Sequence, residues 1–191
     1  MSHLMLDLET LGTTADAVVL SIGVVVFDPR DNFKTLWEQE YVLNDITEQT
    51  AAGRVVSTDT LRWWFNQSDE ARDGVSKAML SDTVRHCTLA FALRHLHDNL
   101  NLLHLNGVWG NGSDFDNAIM MHAAAKEAPE IAQLWPYYLN RCFRTFTNTF
   151  DPEKHFRPAK NNHRALDDCH NQILWMRNIC ADNEQARRLV G

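Results

Sequence analysis

The N-terminal part of the chain has the apolar and polar patterns of three β-strands. In residues 4–9, three leucines alternate with Met, Asp and Glu, which is the two-residue period of a strand. Residues 18–27 are almost continuously apolar and rich in valine, as in a strand that is buried on both faces. A turn-forming segment at residues 28–32 separates them from the strand-like residues 35–43. These segments predict an antiparallel meander.

The middle of the chain changes to helical periodicity. Residues 44–58 are polar and contain glycine, so they are predicted to be a connection. Helices are then predicted at residues 60–67, from about Ser68 onwards, and at residues 81–100 with Ser81 as the N-cap. The last of these helices has an apolar stripe at helical spacing, formed by Leu89, Ala92, Leu93, Leu96 and Leu100.

Strand and helix alternate in the C-terminal part. Residues 107–110 predict a short strand that ends in a glycine-rich corner, and residues 115–125 predict a helix. A closing helix is predicted to begin after Asn162 or His163. Its buried stripe is formed by Leu166, Cys169, Ile173, Met176 and Cys180. The sequence therefore predicts one α/β domain over residues 1–191, with a mixed central β-sheet flanked by helices.

The composition and the cysteine pattern are typical of a soluble intracellular protein. Hydrophobic residues make up 45% of the chain and charged residues 23%. The longest apolar stretch, residues 18–27, is too short to cross a bilayer, and Asp7 interrupts the opening apolar run, which lacks the basic flank of a signal peptide. No CxxC pair occurs among Cys87, Cys142, Cys169 and Cys180. We therefore expect a cytoplasmic location, small buried thiol side chains and no membrane partner.

Candidate chemistry begins with an acidic pair in the first predicted strand. The side chains of Asp7 and Glu9 lie two residues apart and point to the same face, separated by about 7 Å, so both can reach one metal ion or two neighbouring ions. Taken alone, a D-x-E pair is more often a solvated pair of surface charges. The apolar neighbours, and the Thr10 and Gly12 that follow, favour a position at a cleft.

A second acid, Asp116, is predicted in the first turn of a helix. Gly110 and Gly112 allow the sharp turn that precedes it. The helix dipole stabilises a carboxylate at such a position, which is also the ordinary structural explanation for it. Asp114 lies in the same turn and is an alternative, although the helical pattern from Phe115 onwards favours Asp116.

The third segment combines a histidine with an aspartate. Asp168 lies on the flank of the closing helix's buried stripe, and His163 precedes it by five residues, near the helix start. A histidine beside a metal site is a natural general base, because its pKa lies close to the working pH. By itself, the segment is better explained as a helix start with a polar N-terminal residue and capping acids at Asp167 and Asp168.

Four carboxylates brought into one cleft would repel one another, so the set predicts bound cations. Two neighbouring divalent metals suit in-line displacement at phosphorus, and the leading hypothesis is a metal-dependent phosphodiester hydrolase. The net charge of −7 disfavours a protein that coats long nucleic acids. Because the proposed cations would neutralise the four clustered acids, an enzyme that holds one end of a strand remains compatible with this charge.

Together, the three segments resemble the DEDD superfamily of 3′→5′ exonucleases, which are DnaQ-like and have a ribonuclease H-like fold. The resemblance consists of D-x-E-T near the N-terminus, F-D opening a middle helix and H-x-x-x-x-D near the C-terminus, in that order. The histidine five residues before the last aspartate is similar to the DEDDh branch. Position 164, where the other branch has tyrosine, is an arginine.

The resemblance implies a role for each matching residue. It implies two divalent ions, Mg²⁺ or Mn²⁺, with ligands at Asp7, Glu9, Asp116 and Asp168. The general base would be His163. Contacts to the terminal nucleotide would come from Thr10, Leu11 and Phe115. Each cycle would release one nucleoside 5′-monophosphate from a 3′ end.

A finer resemblance, carried by residues 60–72 and by WGNGSDFDN, is to phage exonucleases, exodeoxyribonuclease VIII-like proteins and bacterial exoribonucleases. It implies single-stranded DNA or 3′ overhangs as the partner, with RNA 3′ ends as the alternative, and leaves homodimer formation open. Trp63 and Trp64 either stack on a base or pack in the core and at a subunit interface, and packing is the favoured interpretation.

Two other classes are compatible with parts of the sequence. D-x-E-T followed by a later Asp-Asp is similar to haloacid-dehalogenase phosphatases, but Glu9 replaces their second aspartate and Lys160 is the only nearby lysine for their chemistry. A non-catalytic nucleotide- or strand-binding module with the same fold is the second alternative. Because all five site positions hold competent residues, the sequence favours an enzyme.

Overall fold

The fold is organised around a mixed β-sheet. The computed structural model describes residues 1–80, 86–131, 133–158 and 164–191. Within these ranges the sheet has six strands, in the spatial order β4-β3-β2-β1-β5-β6. The strands are β1 (Ser2–Thr10), β2 (Val19–Asp28), β3 (Lys34–Leu43), β4 (His86–Cys87), β5 (Leu105–Gly110) and β6 (Asn140–Cys142).

Strand β1 occupies the interior of the sheet and is almost fully buried. It pairs antiparallel with β2, where Asp7 is opposite Gly23, and parallel with β5, where Leu6 is opposite Gly110. Strands β1 to β3 form the predicted antiparallel meander, which is thereby confirmed. The parallel pairs β1–β5, β3–β4 and β5–β6 make the sheet mixed, as the sequence also predicts.

Helices cover the two faces of the sheet. They are α1 (Ile46–Ala51), α2 (Thr58–Phe65), α3 (Asp69–Leu80), α4 (Leu89–Leu100), α5 (Ala118–Glu127), α6 (Phe143–Phe150), α7 (Ala165–Asp182) and α8 (Glu184–Val190). The leucines of β1 pack with α4 and α5 on one face. Met5 packs with α6 and α7 on the other face, beside the thiols of Cys169 and Cys180. These two thiols are buried, whereas Cys87 and Cys142 are half-buried.

The connection predicted at residues 44–58 contains helix α1, and this part of the prediction is wrong. The side chain of Gln49 is buried and exchanges hydrogen bonds of 2.9 Å with the backbone N–H and carbonyl of Val19. Tertiary contacts therefore stabilise a short helix that has little apolar periodicity of its own.

The helix predicted at residues 81–100 begins at Leu89. The Thr88 side chain accepts a hydrogen bond from the Phe91 N–H and is the N-cap, and the residues before it form β4. The predicted N-cap, Ser81, lies outside the described residues. Strand β6 and helices α6 and α8 were not predicted. Strand β6 and helix α8 are short, whereas Phe143, Phe146 and Phe150 give α6 a helical spacing that the sequence interpretation missed.

The described part of the chain offers no helix with the length and apolar character needed to cross a membrane.

Candidate active site

Acidic side chains from β1 and α7 meet at the end of the central strand. One carboxylate oxygen from each of Asp7, Glu9 and Asp168 lies within 4.8 Å of the other two. Asp7 is 8% exposed, so this part of the cluster is almost removed from solvent. The structure thus brings three of the four predicted carboxylates into one cluster whose oxygen donors suit a hard divalent cation.

Helix α7 reaches the cluster because a glycine lies beneath its first turn. A Cβ atom at Gly23 would lie 2.3 Å from the Ala165 carbonyl carbon and 2.4 Å from the Leu166 nitrogen. The missing side chain therefore permits the helix start to rest on β2, directly opposite Asp7. This close approach positions Asp168, in the first turn of α7, beside the acids of β1.

The fourth carboxylate, Asp116, comes from a π-helical turn at Ser113–Asn117 that precedes α5. Asp116 is 2% exposed, and its Oδ2 accepts a hydrogen bond of 3.1 Å from the Gly112 N–H. Its alternative, Asp114, is exposed at the rim of the same cleft. Gly110 allows this packing, since a Cβ there would lie 2.3 Å from the Asn117 Oδ1. The turn therefore presents Asp116, and not Asp114, to the buried cluster.

Burial and mutual repulsion shift the acids of the cluster away from their usual behaviour. Burial raises the pKa of Asp7 well above its ordinary value, and the charges of Asp116, Glu9 and Asp168 raise it further. Burial, followed by repulsion from Asp168 and Asp116, raises the pKa of Glu9 to about 8. Burial also raises the pKa of Asp116 to about 6. Without a cation, the cluster therefore retains protons near neutral pH.

Gln172 is a site residue that the sequence interpretation missed. Its Nε2 donates a hydrogen bond of 2.8 Å to the Asp7 Oδ1, and this donation opposes the rise in the pKa of Asp7. The residue is 8% exposed, and its Oε1 has no hydrogen-bond partner in the described part of the chain. Helical spacing was an available signal, because Gln172 lies one turn after Asp168 on α7.

The predicted general base, His163, lies outside the described residues. The described chain resumes at Arg164, whose extended backbone is the N-cap of α7. Its guanidinium lies 3.3 Å from Glu40 on β3 and 3.6 Å from Asp167, so the start of α7 is held against the sheet. Lys160 also lies outside the described residues.

The three predicted substrate residues differ in burial: Thr10 and Leu11 are buried, and Phe115 is half-buried. The Thr10 Oγ1 donates a 2.7 Å hydrogen bond to the Gly12 carbonyl, and its own carbonyl accepts from the Trp64 Nε1 at 2.9 Å. Leu11 is 2% exposed and packs in a small core cluster with Trp64. Phe115 is half-buried and contributes to the walls of two clefts.

The tryptophan pair separates into one core residue and one surface residue. Trp64 is 4% exposed, which agrees with the packing interpretation, whereas Trp63 is 45% exposed. Their rings meet edge to face, with centroids 4.8 Å apart. Both rings border a cavity of about 480 Å³ that also includes Glu9 and Thr10; we call it the aromatic pocket.

The four carboxylates border a central cleft of about 530 Å³. It shares Glu9 and Phe115 with the aromatic pocket on one side. On its other side it shares Asp7, Asp168 and Arg144 with a third cavity of about 410 Å³. The three cavities therefore form one continuous groove with the acids in the middle.

Comparison with known proteins gives one family match over most of the chain. The family described as the 3′-5′ exoribonuclease Rv2179c-like domain matches residues 2–180. An exodeoxyribonuclease of Enterobacteria phage T4 is 29% identical over 80 residues, which cover 40% of this chain and 35% of the phage protein. The chain thus spans about a third of the length of this relative.

Solved structures extend the comparison to the fold. The zinc-bound complex of E. coli exonuclease I with single-stranded DNA has a TM-score of 0.65 and 10% identity, covering 98% of this chain and 42% of that one. Cell-death related nuclease 4 has a TM-score of 0.57 and 15% identity, covering 95% of this chain and 64% of that one. These likenesses confirm the predicted ribonuclease H-like, DnaQ-like fold, and with the family match they exclude the haloacid-dehalogenase alternative.

Proposed function

Because the chain belongs to the Rv2179c-like 3′-5′ exoribonuclease domain family, we propose that it is a metal-dependent 3′→5′ exonuclease. The supporting observation is the convergence of the Asp7, Glu9 and Asp168 oxygens within 4.8 Å, beside the buried Asp116. Such a set of carboxylates is stable in a folded protein when cations offset its repulsion. The reaction breaks the bond between phosphorus and the 3′ oxygen, adds water and releases a nucleoside 5′-monophosphate.

The proposed cofactor is a pair of divalent ions, Mg²⁺ or Mn²⁺. Asp7, Glu9 and Asp168 would hold one ion, and Asp7 and Asp116 would hold the other. Bound there, the ions would stabilise negative charge on the attacking and leaving oxygens. The protein's own contribution is to fix these oxygen donors, and Gln172 restrains Asp7, the carboxylate that both ions would share.

Substrate binding would use the groove on both sides of the acids. In this proposal, the terminal nucleoside occupies the aromatic pocket, where Thr10 and Phe115 shape the wall and Trp63 offers an exposed ring face. The buried Leu11 would act from behind this wall, where it packs in one core cluster with Trp64. Aromatic faces bind any base without reading its sequence.

The proposed polymer is single-stranded RNA, because the family match covers residues 2–180 and its description names an exoribonuclease. Single-stranded DNA is the second candidate, since the phage T4 relative is described as an exodeoxyribonuclease and exonuclease I was solved with single-stranded DNA. DNA is placed second because the match to the phage protein covers only 40% of the chain, and because the match to exonuclease I, at 10% identity, is a likeness of fold alone.

A gel assay tests the activity and the polymer together. RNA and DNA of matched sequence, labelled at the 5′ end, would be incubated with Mg²⁺, Mn²⁺ or chelator. We expect a metal-dependent ladder that shortens from the 3′ end with the wild-type protein and with Asp182→Asn, but not with Asp168→Asn. Both substituted acids lie on α7, and Asp182 is exposed at its far end, so Asp182→Asn is a matched control. Metal-dependent binding without shortening would instead support the non-catalytic module.

His163 is proposed as the general base that takes the proton from the attacking water. Replacing it by alanine is expected to lower kcat by roughly 10²–10⁴ while leaving divalent-ion affinity largely unchanged. Single-turnover hydrolysis and calorimetric titration with Mn²⁺ measure the two quantities separately. An equal loss of ion affinity would assign His163 to the metal site instead.

A further inference from the structure

The cavity on the far side of the acids has a basic wall. It extends from Asp7 and Asp168 along α6 and α7, and we call it the basic cleft. Its cationic side chains are those of Arg144, Lys154 and Arg157. Its neutral polar side chains include those of Asn111, Asn148 and Asn171. A local cationic wall is notable in a chain with a net charge of −7.

These cations are available to a ligand. In the described ranges, the structure records no ion pair for Arg144, Lys154 or Arg157, and all three are exposed. Other exposed arginines are paired, for example Arg94 with Glu130 and Arg188 with Glu184. Within the described ranges, the cations of the basic cleft are therefore not held in ion pairs of 4.0 Å or less, although Asp7 and Asp168 lie at one end of the same cleft.

The loop that contains Lys154 and Arg157 is held in place by a buried carboxylate. Asp151 is 3% exposed and accepts hydrogen bonds from the backbone N–H groups of His155, at 2.8 Å, and Phe156, at 3.1 Å. It also accepts one from the Trp175 Nε1 on α7 at 2.6 Å. This carboxylate thus joins the loop to the helix that contains Asp168.

Two further features fix the cationic side chains. The Arg157 guanidinium lies over the Trp175 ring, 5.8 Å from its centroid, a geometry that orients the planar group. Lys154 has a φ of 57°, a left-handed backbone that non-glycine residues seldom adopt. Because the loop is restrained, these cations lose little conformational freedom when a ligand binds.

We propose that the basic cleft binds the backbone phosphates of the strand on the 5′ side of the scissile bond. This inference rests on the proposed exonuclease function and adds a direction for the strand. When the 3′-terminal nucleoside of a nucleic-acid strand fills the aromatic pocket, the scissile phosphate lies at the acids. The rest of the strand then continues on the opposite side of the acids, where the basic cleft extends the groove. Arginine and lysine side chains are the usual partners of phosphate oxygens.

Substrate length tests this assignment. A dinucleotide has only the scissile phosphodiester, whereas a pentanucleotide also has phosphates that would lie in the basic cleft. For the double variant Lys154→Gln/Arg157→Gln, we expect kcat/KM for the pentanucleotide to fall roughly tenfold and kcat/KM for the dinucleotide to fall much less. Lys126→Gln is the matched control, because Lys126 is exposed on α5, which packs on the opposite face of the sheet.

Direct binding gives a second readout that does not need turnover. Fluorescence anisotropy with a labelled pentanucleotide, Mg²⁺ and an Asp7→Ala background measures Kd at several salt concentrations. We expect the double variant to raise Kd about tenfold and to reduce the slope of log Kd against log salt by about 0.7 for each lost phosphate contact.

The outcomes separate this inference from the function on which it rests. Equal losses for both substrates, or a pentanucleotide result like that of Lys126→Gln, would overturn the basic cleft as a phosphate site. If the wild-type protein hydrolyses neither substrate, the proposed function fails. The anisotropy measurement still tests whether the basic cleft binds phosphates. In that case a weakened Kd supports phosphate binding there, and an unchanged Kd rejects it.

Discussion

At the scale of single residues, Asp7 links the central strand, the carboxylate cluster and helix α7. It lies on the central strand, faces Glu9 and Asp168 within the cluster, and accepts a hydrogen bond from Gln172. The amide thus fixes one oxygen of this carboxylate, and with it the orientation of the side chain within the cluster. The amide also leaves Asp7 with less freedom to turn away from the repulsion of its neighbours.

Replacing Gln172 by alanine is expected to weaken divalent-ion binding by roughly 10–100-fold, because partners that orient a ligand are typically worth that much. Calorimetric titration with Mn²⁺ measures the effect directly. Gln185→Ala is the control, since Gln185 is exposed on α8. Ion affinity equal to that of the control would mean that the hydrogen bond to Asp7 does not position the carboxylate.

The raised pKa values of the acids predict how stability depends on pH in the presence of chelator. Between the ordinary pKa of Glu9, 4.5, and its folded value of about 8, the folded protein holds more protons than the unfolded chain. The free energy of unfolding should therefore fall as pH rises through this window. Thermal unfolding from pH 5 to pH 9 checks this sign, and Asp7→Asn should flatten the curve because it removes one of the repelling charges.

The same protons affect ion binding in the opposite direction. Because a carboxylate must lose its proton to bind a cation, affinity for Mg²⁺ or Mn²⁺ should increase across the pH range in which Asp116 and Glu9 titrate, about 6 to about 8. A pH-independent ion affinity would contradict the assignment of these acids as ligands.

At the scale of secondary-structure elements, the contact between β2 and α7 decides the position of Asp168. Their closest point is Gly23, where the helix backbone occupies the space of a side chain. The sequence predicted both elements, β2 from its almost continuous apolar run and α7 from its apolar stripe between Leu166 and Cys180. The identity of the helix start that rests on Gly23 could not be read from either pattern, because periodicity does not encode which elements meet.

Gly23→Ala is therefore expected to lower the stability of the protein more than the addition of one methyl group usually does. The added Cβ would meet backbone atoms, which cannot rotate away, so α7 would have to shift from β2. We expect a loss of about 1–3 kcal/mol in the free energy of unfolding, together with weaker ion binding because Asp168 moves. Denaturant unfolding and Mn²⁺ titration measure the two effects; a destabilised variant with unchanged ion affinity would show that the contact does not position Asp168.

At the scale of the whole molecule, the two faces of the sheet pack against different sets of helices and contribute differently to the site. One face packs the β1 leucines against α4 and α5 in the larger core cluster. The other face packs Met5 against α7 and continues into the acids and the basic cleft. The basic cleft thus lies along this second face. The aromatic pocket also includes Leu8 and Phe115 from the side of the larger core cluster, so the groove crosses the end of β1.

A divalent cation should stabilise the whole folded chain, since it binds the native cluster and not the unfolded acids. If residues 1–191 form a single domain, as we propose, thermal unfolding should be one cooperative transition. Its Tm should rise as Mg²⁺ or Mn²⁺ is added. Two separate transitions would contradict the single domain, and a Tm that the ions do not change would contradict the metal site. Asp168→Asn should lose most of the rise.

The sequence by itself determined the acids, their order and the elements on which they lie, because residue type and periodicity are local properties. It predicted Asp7 and Glu9 on one strand face, favoured Asp116 over Asp114, and indicated the start of the closing helix; the role of His163 stays a prediction. The tertiary structure alone decided the distances among the acids and the contact of Gln172 with Asp7, which joins residues 165 positions apart. It also revealed the basic cleft, because a net charge sums over the chain and contains no record of which charges lie together.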